Sequence, residues 1–256
     1  MKPLILITND DGVAAKGLRT LKDIALEFGD VVVMAPMNNA SGQSHSITTS
    51  RPLRVHEVTQ TEGLSIYCCD GTPVDCVKLA TEYFCPRTPD LVLSGINHGS
   101  NSSINVLYSG TLGAVLEALA LGFKSIGFSL LSHNPEANFE PSVPYVRHLI
   151  NKVLANGLPA NVALNVNIPR PKDGMLRGIR ICQQAKAQWR DSFEKRIDPK
   201  GVPYWWLTGK FVCTDPSEAS DEWALNHGYI SIVPIHSDFT HYKAMDELQH
   251  LIPQTK

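Results

Sequence analysis

The sequence predicts an α/β protein with a mainly parallel sheet. Short apolar runs alternate with helical patterns along most of the chain, which is typical of βαβ units. Some of these runs, such as VVVMAP at 31–36, are apolar at every position, as parallel strands buried on both faces are. The chain has 256 residues, no internal repeat and no low-complexity linker, and it therefore suits one elaborated α/β domain.

The first strand and its helix set the pattern. LILIT at 4–8 is followed by a helix from about 15 to 28, whose apolar residues recur at helical spacing and which Gly29 ends. A later helix begins with Thr72 as its N-cap and Pro73 at its first position. The other predicted elements are strands at 31–36, 91–97, 126–131, 163–169 and 228–242, a glycine-rich turn with its helix at 109–122, and a helix near 142–156.

Two segments break this alternation. Residues 44–70 contain two strand-like runs around the turn-like TQTEG and predict a hairpin excursion. Residues 171–227 combine many charges and turns with four tryptophans, and we expect either a protruding hairpin used in subunit contacts or a flap over the core. The predicted core is then about 1–170 and 228–242, followed by a C-terminal helix at about 243–256. The tryptophans are Trp189, Trp205, Trp206 and Trp223.

Composition and charge exclude several classes of protein. A formal net charge of −2 gives no general attraction to a nucleic acid polymer or to anionic lipid. Charged residues interrupt every apolar stretch that could span a membrane, and the first ten residues are too short in apolar length for a signal peptide. The six cysteines form no C-x-x-C pair, so we expect them to behave as small, buried hydrophobic residues. The expected compartment is a reducing cytoplasm.

Polar residues gather after three of the predicted strands. Asp10 and Asp11 follow the first strand, Ser41 follows the second, and Asn97 ends the third. Ligands of doubly wound sheets bind outside the carboxyl ends of the strands, and oxygen-rich sets of this kind suit Mg²⁺ or Mn²⁺. Gly12 is free to adopt unusual dihedral angles that let both carboxylates face one ion. The alternative is a helix N-cap beside a solvated turn acid.

A second candidate site lies at the start of a helix. Ser109, Gly110 and Thr111 begin it, so its free backbone N–H groups and its dipole favour an anion. The pattern is neither a Walker loop nor a dinucleotide-binding fingerprint, and an ordinary N-cap is the alternative. Beside a cation site it suits a phosphate ester that is attacked by a water activated by the cation.

Other polar residues are open to two interpretations. Lys16 and Arg19 either neutralise phosphate or are solvated helix residues. His98, beside Asn97, is either a ligand or a satisfied core histidine. After the last strand, His236, Asp238 and His241 include a candidate base or proton donor.

Several segments of the chain resemble those of a known family. The segments ILITNDDG, NNASGQSHSIT, CDGTPVDCV, LVLSGINHGSN, YSGTLGA and GYISIVPIHSDFT are similar, in this order, to the signature segments of the SurE survival-protein family. Members of that family are metal-dependent nucleoside-monophosphate phosphatases. The resemblance implies a Rossmann-like three-layer αβα core, a protruding hairpin, an exchanged C-terminal segment and a homodimer or homotetramer.

The resemblance also implies roles for individual residues. One divalent cation per subunit would be ligated by Asp10, Asp11, Ser41 and Asn97. Asn101, Ser109 and Thr111 would contact the phosphate beside Gly110, and Asp238 would belong to the surroundings of the active site. Two departures from the family pattern stand out. Asn101-Ser102-Ser103 replaces N-x-G, and Tyr242 replaces a histidine, for which His241 could substitute.

These observations lead to one expected function with two alternatives. We expect a cytoplasmic phosphomonoesterase that hydrolyses nucleoside 5′- and 3′-monophosphates, in which Asp10 ligates the cation and helps to orient the attacking water. The first alternative is an aspartyl-phosphate enzyme, although its two acids are usually spaced D-x-D. The second is a nucleotide-binding module that uses the cation without turnover. The sequence leaves the preferred base, the metal and the dimer or tetramer open.

Overall fold

A single large sheet organises the structure. The computed structural model describes residues 2–170 and 175–252. Within these residues the main sheet has nine strands in the order β3-β4-β2-β1-β5-β6-β7-β11-β8, and β9 with β10 forms a separate two-stranded sheet. The strands are Leu4–Thr8 (β1), Asp30–Pro36 (β2), Val55–Thr61 (β3), Leu64–Cys69 (β4), Leu91–His98 (β5), Ser125–Leu130 (β6), Ala163–Ile168 (β7), Ile179–Ile181 (β8), Ala187–Ile197 (β9), Pro203–Cys213 (β10) and Ile230–Ile235 (β11).

Helices cover both faces of this sheet. Ile5 and Ile7 of β1 pack in an apolar cluster with residues of α1 and α4, whereas Leu4 and Leu6 pack in a second cluster with residues of α2 and α3. Successive residues of a strand point to opposite faces, so a strand between two helical layers is apolar throughout. The three-layer α/β arrangement is therefore confirmed. The α-helices are Lys16–Ala25 (α1), Pro73–Leu79 (α2), Gly110–Ala120 (α3), Val143–Asn156 (α4) and Asp221–Asn226 (α5).

Local signals set the ends of most helices. Thr72 caps α2, because its side chain accepts from the backbone N–H of Asp75 while the Asp75 carboxylate accepts from that of Thr72. Gly157 ends α4 with a φ of +75°. Helix α1 ends at Ala25, earlier than expected, because Glu27 and Phe28 donate to carbonyls three residues back and so tighten the last turn.

Three predicted segments differ from the structure. Residues 44–54 contain no strand, and the hairpin of β3 and β4 is an edge of the main sheet, since β4 pairs in parallel with β2. Within 171–227, β8 pairs with β11, so only β9 and β10 protrude; residues 171–174 lie outside the described part. The expected C-terminal helix is seen, as far as residue 252, only as 3-10 turns. Its apolar side chains are exposed, and short helices depend on packing for their stability.

All six cysteines are free; four are buried, and Cys85 and Cys213 are half-buried. No helix in the described part of the chain is long and apolar enough to cross a membrane.

Candidate active site

The turn after β1 brings two carboxylates to one cavity. Asn9 is fully buried, and its side chain closes the turn: Oδ1 accepts from the Gly12 N–H at 3.2 Å, and Nδ2 donates to the Gly12 carbonyl at 3.0 Å. Gly12 has a φ of +101°, which L side chains rarely adopt. With this turn fixed, Asp10 and Asp11 both line the cavity outside the carboxyl ends of the strands.

The next two strand ends supply amide and hydroxyl oxygens to the same cavity. Ser41 lies in the loop after β2, which the Ala40 N–H ties to the Asp10 carbonyl at 2.7 Å. Asn97 is buried near the end of β5, and its Nδ2 donates to the Gly99 carbonyl at 3.1 Å. A register shift between Ser94 and Asn97 interrupts the pairing of β5 with β6 and re-aims the strand end.

The start of α3 faces Asp10 closely. Ser109 caps the helix, because its hydroxyl accepts from the Leu112 N–H at 3.1 Å, and it lines the cavity. The Thr111 hydroxyl is fully buried and donates to Asp10 Oδ1 at 2.6 Å. A Cβ at Gly110 would lie 2.9 Å from Asp10 Cβ. Within this chain, Gly110 and Thr111 therefore contact the carboxylate and do not line the cavity.

A network of buried amides holds Asn101 at the cavity wall. Its Nδ2 donates to Ser129 Oγ at 2.7 Å, and its backbone N–H donates to Asn167 Oδ1 at 2.8 Å. Asn165 Nδ2 donates to the Asn101 carbonyl at 2.8 Å, and Asn167 Nδ2 donates to Asn165 Oδ1 at 2.9 Å. Every member of this network is buried, so the position of Asn101 depends on strands β6 and β7.

Burial dominates the electrostatics of the two carboxylates. Desolvation raises the pKa of Asp10 above its ordinary value; the Thr111 hydroxyl lowers it, and the charge of Asp11 raises it again. Desolvation also raises the pKa of Asp11, although the His98 N–H, which donates to Asp11 Oδ2 at 3.0 Å, lowers it. Two adjacent acids deprived of water favour a proton or a cation between them. This oxygen-rich set therefore fits a hard divalent cation.

The cavity is larger than a phosphate requires. Its volume is about 990 Å³, and its opposite wall comes from the hairpin of β9 and β10. Trp189 belongs to that wall, and its indole Nε1 donates to Asn105 Oδ1 at 2.8 Å. Other side chains around the cavity include Lys16, Arg19, His98, Tyr108, His133 and Asp191.

His133 and the hairpin wall are additions that the sequence reasoning missed. His133 lies against Gly99, since a Cβ built on that glycine would be 2.6 Å from His133 Cε1. It follows the carboxyl end of β6, so a search for polar residues after this fourth strand, as after the first three, would have identified it. No sequence signal relates Trp189 to the cavity, because a long excursion separates it from the strands.

Comparisons with known proteins identify the family to which this chain belongs. The family model described as Survival protein SurE matches residues 5–191. The chain belongs to the SurE family. A relative named 5′-nucleotidase SurE from Christiangramia forsetii is 50% identical over 249 residues, which cover 96% of each chain. Another of that name, from Flavobacterium psychrophilum, is 49% identical over 250 residues and 97% of each chain.

A solved SurE structure supports the fold. The crystal structure of the SurE protein from Aquifex aeolicus is 36% identical to this chain and has a TM-score of 0.83. The match covers 97% of this chain and 99% of that chain. The SurE-like α/β core and the additional hairpin are therefore both present.

Two residues that the SurE resemblance assigns to the site lie apart from it in this chain. Asp238 is half-buried and His241 is exposed, and neither lines the cavity. The pKa of Asp238 falls to about 2, because the Thr240 side chain and the Tyr242 hydroxyl hydrogen-bond to its carboxylate. His241 Nδ1 accepts from the Ala244 N–H at 3.1 Å. Tyr242, at the departure from the family pattern, is thus a partner of Asp238.

The candidate cation site differs from the usual acid- and histidine-rich clusters. Among residues 2–170 and 175–252, no group of three or more His, Cys, Asp or Glu side chains could hold a metal ion. Asp10 and Asp11 supply only two such side chains, and the other two candidate ligands are Ser41 and Asn97. A serine and an asparagine lower the charge of the site, and they leave room for water and substrate oxygens.

Proposed function

We propose that this chain is a metal-dependent 5′-nucleotidase that hydrolyses nucleoside 5′-monophosphates, and also 3′-monophosphates, to nucleoside and phosphate. The names of its relatives state a 5′-nucleotidase activity for those proteins. The observation that carries the proposal is one cavity whose floor combines Asp10, Asp11, Ser41 and Asn97 with Asn101 and Ser109.

The cation in this proposal is Mg²⁺ or Mn²⁺, one per subunit, held by Asp10, Asp11, Ser41 and Asn97. Their oxygen donors are of the type that these ions prefer. A divalent cation bound there would supply a Lewis acid for a phosphoryl oxygen and would lower the pKa of a water ligand.

The chain's own residues would bind and orient the phosphate. Asn101 and Ser109 would donate to phosphoryl oxygens on which charge develops in the transition state. The Thr111 hydroxyl would keep Asp10 in place, and its hydrogen bond opposes the rise in the pKa of that carboxyl that burial causes. Lys16 and Arg19 add positive charge at the rim, which favours an anionic substrate.

The size and walls of the cavity support a nucleotide over a small phosphate ester. Trp189 and Tyr108 present aromatic surface to the cavity, whereas Asp191 presents hydrogen-bond acceptors. Bases stack on aromatic side chains, and ribose hydroxyls donate to carboxylates. A phosphate on the cavity floor would leave the rest of the 990 Å³ for a sugar and a base.

The proposal includes self-association and a cytoplasmic location. The hairpin of β9 and β10 exposes several large apolar side chains, which favour a homodimer or homotetramer. The exposed C-terminal turns suit the exchanged segment that the family resemblance implies, in which case Asp238 and His241 would act on a partner subunit. Six free thiols fit a reducing compartment.

A turnover panel tests the proposal. The purified protein is assayed for phosphate release from nucleoside 5′- and 3′-monophosphates with Mg²⁺, with Mn²⁺ and with excess chelator. We expect turnover that requires the metal and returns when the metal is restored. Tight metal-dependent nucleotide binding without turnover would favour the binding module instead, and a trapped phospho-aspartate would favour the aspartyl-phosphate mechanism.

A further inference from the structure

The segment 101–103, of which Asn101 lines the cavity, is held by side chains outside the segment. Three consecutive backbone N–H groups donate to side-chain oxygens rather than to a regular helix or sheet. The pairs are Asn101 with Asn167 Oδ1 at 2.8 Å, Ser102 with Ser100 Oγ at 3.1 Å, and Ser103 with Asp221 Oδ2 at 2.7 Å. The backbone of this segment is therefore fixed at every residue.

Ser103 has a backbone conformation that its side chain disfavours. Its φ is +52°, in the left-handed region where a glycine is usual. It is buried, and its hydroxyl donates to the Ala185 carbonyl at 2.9 Å. Its backbone N–H and its hydroxyl both donate to the chain around β8 and α5, so contacts from outside the segment maintain this conformation.

Asp221 is the centre of these contacts. It is fully buried, and besides the Ser103 N–H its Oδ1 accepts from the Ala185 N–H at 3.0 Å and from the Glu222 N–H at 2.8 Å. Both carboxylate oxygens are thus engaged by backbone donors. Next to it, the Glu222 carboxylate accepts from the Ser102 hydroxyl. The start of α5 therefore clamps residues 102 and 103, and β7 holds Asn101 on the other side.

We propose that Asp221 is a positioning residue for Asn101. It acts through Ser103, by holding the left-handed backbone that fixes the position of Asn101 at the cavity wall. This inference rests on the proposed function, because the role of Asn101 toward phosphate belongs to that proposal. It also explains how this chain tolerates Ser103 where N-x-G would place a glycine: the carboxylate and the Ala185 carbonyl hold a conformation that glycine adopts freely.

The first test is the variant Asp221→Asn in the full chain. An amide offers one acceptor oxygen where the carboxylate offers two, so one set of backbone N–H groups loses its partner. We expect kcat for a nucleoside monophosphate to fall about tenfold while KM changes less than about twofold, because the lost contact acts on charge that develops in the transition state. A folded variant with wild-type kcat would overturn the proposal.

A second substitution tests the route through Ser103. Glycine at this position reaches positive φ without a tether, so Ser103→Gly added to Asp221→Asn is expected to restore kcat to within about threefold of the wild type. A merely structural role for Asp221 would not give a recovery of kcat through the backbone of residue 103. Loss of kcat that the glycine leaves unchanged would contradict the proposal.

A matched control separates positioning from stability. Asp75 is also buried and accepts two backbone N–H groups, from Thr48 at 3.0 Å and from Thr72 at 2.9 Å, but it does not line the cavity. Asp75→Asn should lower Tm and leave kcat unchanged. An equal fall in kcat in both variants would show that Asp221 acts only through stability, against the proposal.

Hydrogen exchange gives a readout that does not require activity. The backbone amides of Asn101 and Ser103 should exchange at least about tenfold faster in Asp221→Asn than in the wild type, with little change in the amides of β1. If the wild type turns over no phosphomonoester, the proposed function fails and this measurement alone tests the clamp. Unchanged exchange at both amides would overturn it.

Discussion

The cavity floor and the hairpin of β9 and β10 both contain side chains whose burial is unusual for their type, but in opposite ways. The floor buries polar side chains such as Asp10 and Asn97, whereas the hairpin exposes large apolar ones such as Phe193 and Trp206. Burying a carboxylate costs free energy unless something compensates its charge, and exposed apolar surface usually has a partner. The floor therefore suits the proposed cation, and the hairpin suits the proposed self-association.

The two regions also differ in what holds them. The two carboxylates of the floor accept hydrogen bonds from residues far away in sequence, Asp10 from the Thr111 hydroxyl and Asp11 from the His98 backbone N–H. The hairpin is held by the pairing of its own two strands, and it contacts the core at the cavity wall, where the Trp189 indole donates to Asn105. Substitutions in the floor should therefore change chemistry and stability, and substitutions in the hairpin should change recognition and assembly.

The largest expected effect is at the floor. Asp11→Asn removes a charged candidate ligand, so we expect phosphate release to fall at least about a thousandfold, since metal ions contribute several kcal/mol to such reactions. Mg²⁺ or Mn²⁺ binding, measured by calorimetry, should weaken in parallel. Asp23→Asn, at an exposed position of α1, is the control and should change neither. Full turnover by Asp11→Asn with metal bound would remove Asp11 from the ligand set.

Two phenylalanine variants compare how much the core and the hairpin contribute to the free energy of unfolding. Phe128 of β6 is fully buried, and Phe193 of β9 is exposed. Phe128→Ala should lower the free energy of unfolding by about 3–5 kcal/mol through lost burial and a cavity, and Phe193→Ala by about 0.5 kcal/mol or less. Urea unfolding at low protein concentration measures both. Equal losses would mean that the hairpin is packed as tightly as the core.

Trp189 tests the contact between the hairpin and the cavity. Trp189→Ala should raise KM for a nucleoside monophosphate about tenfold, because stacking on an aromatic side chain contributes about 1–3 kcal/mol per base. KM for ribose 5-phosphate, which has no base, should stay within about twofold. Trp205→Ala, on the same hairpin but away from the cavity, is the matched control. A rise in KM for both substrates would argue against a base platform.

The smallest expected effect is electrostatic. Burial raises the pKa of Glu117, but hydrogen bonds from Lys78 and His45 bring it below the ordinary 4.5. A depressed pKa in the folded state contributes stability above pH 4.5 that is lost as the pH falls through the folded value. Glu117→Gln should therefore cost about 1 kcal/mol at pH 7 and progressively less below pH 4.5.

The hairpin offers the matched comparison for that variant. Glu194 pairs with Arg196 at 2.8 Å, but both side chains are more than half exposed. Exposed pairs contribute little, so Glu194→Gln should leave the free energy of unfolding unchanged at every pH. A cost for Glu117→Gln that does not vary between pH 7 and pH 3 would mean that packing, rather than charge, is what the substitution removes.

Local sequence patterns were sufficient to predict many of the strands and helices of this protein. Period and composition predicted the apolar strands β1, β2, β5, β6 and β7, and capping residues predicted the starts of α2 and α3, because these signals act within a few residues. Ligands of such sheets bind outside the carboxyl ends of the strands, and this rule predicted from sequence that Asp10, Asp11, Ser41 and Asn97 share one site. All four line the same cavity. The sequence also indicated a long excursion with exposed aromatic residues, though not what it faces.

Only the tertiary structure decided the contacts between distant segments. The sequence, through the SurE resemblance, implies that Thr111 contacts the phosphate; in the structure its hydroxyl also donates to Asp10, because α3 approaches the β1 turn across Gly110. It contains no signal that joins Trp189 to Asn105 or Asp221 to Ser103, which lie 84 and 118 residues apart in the chain. A sequence pattern records which face of an element is apolar. Which elements then meet, and at what distance, depends on how all the faces pack together.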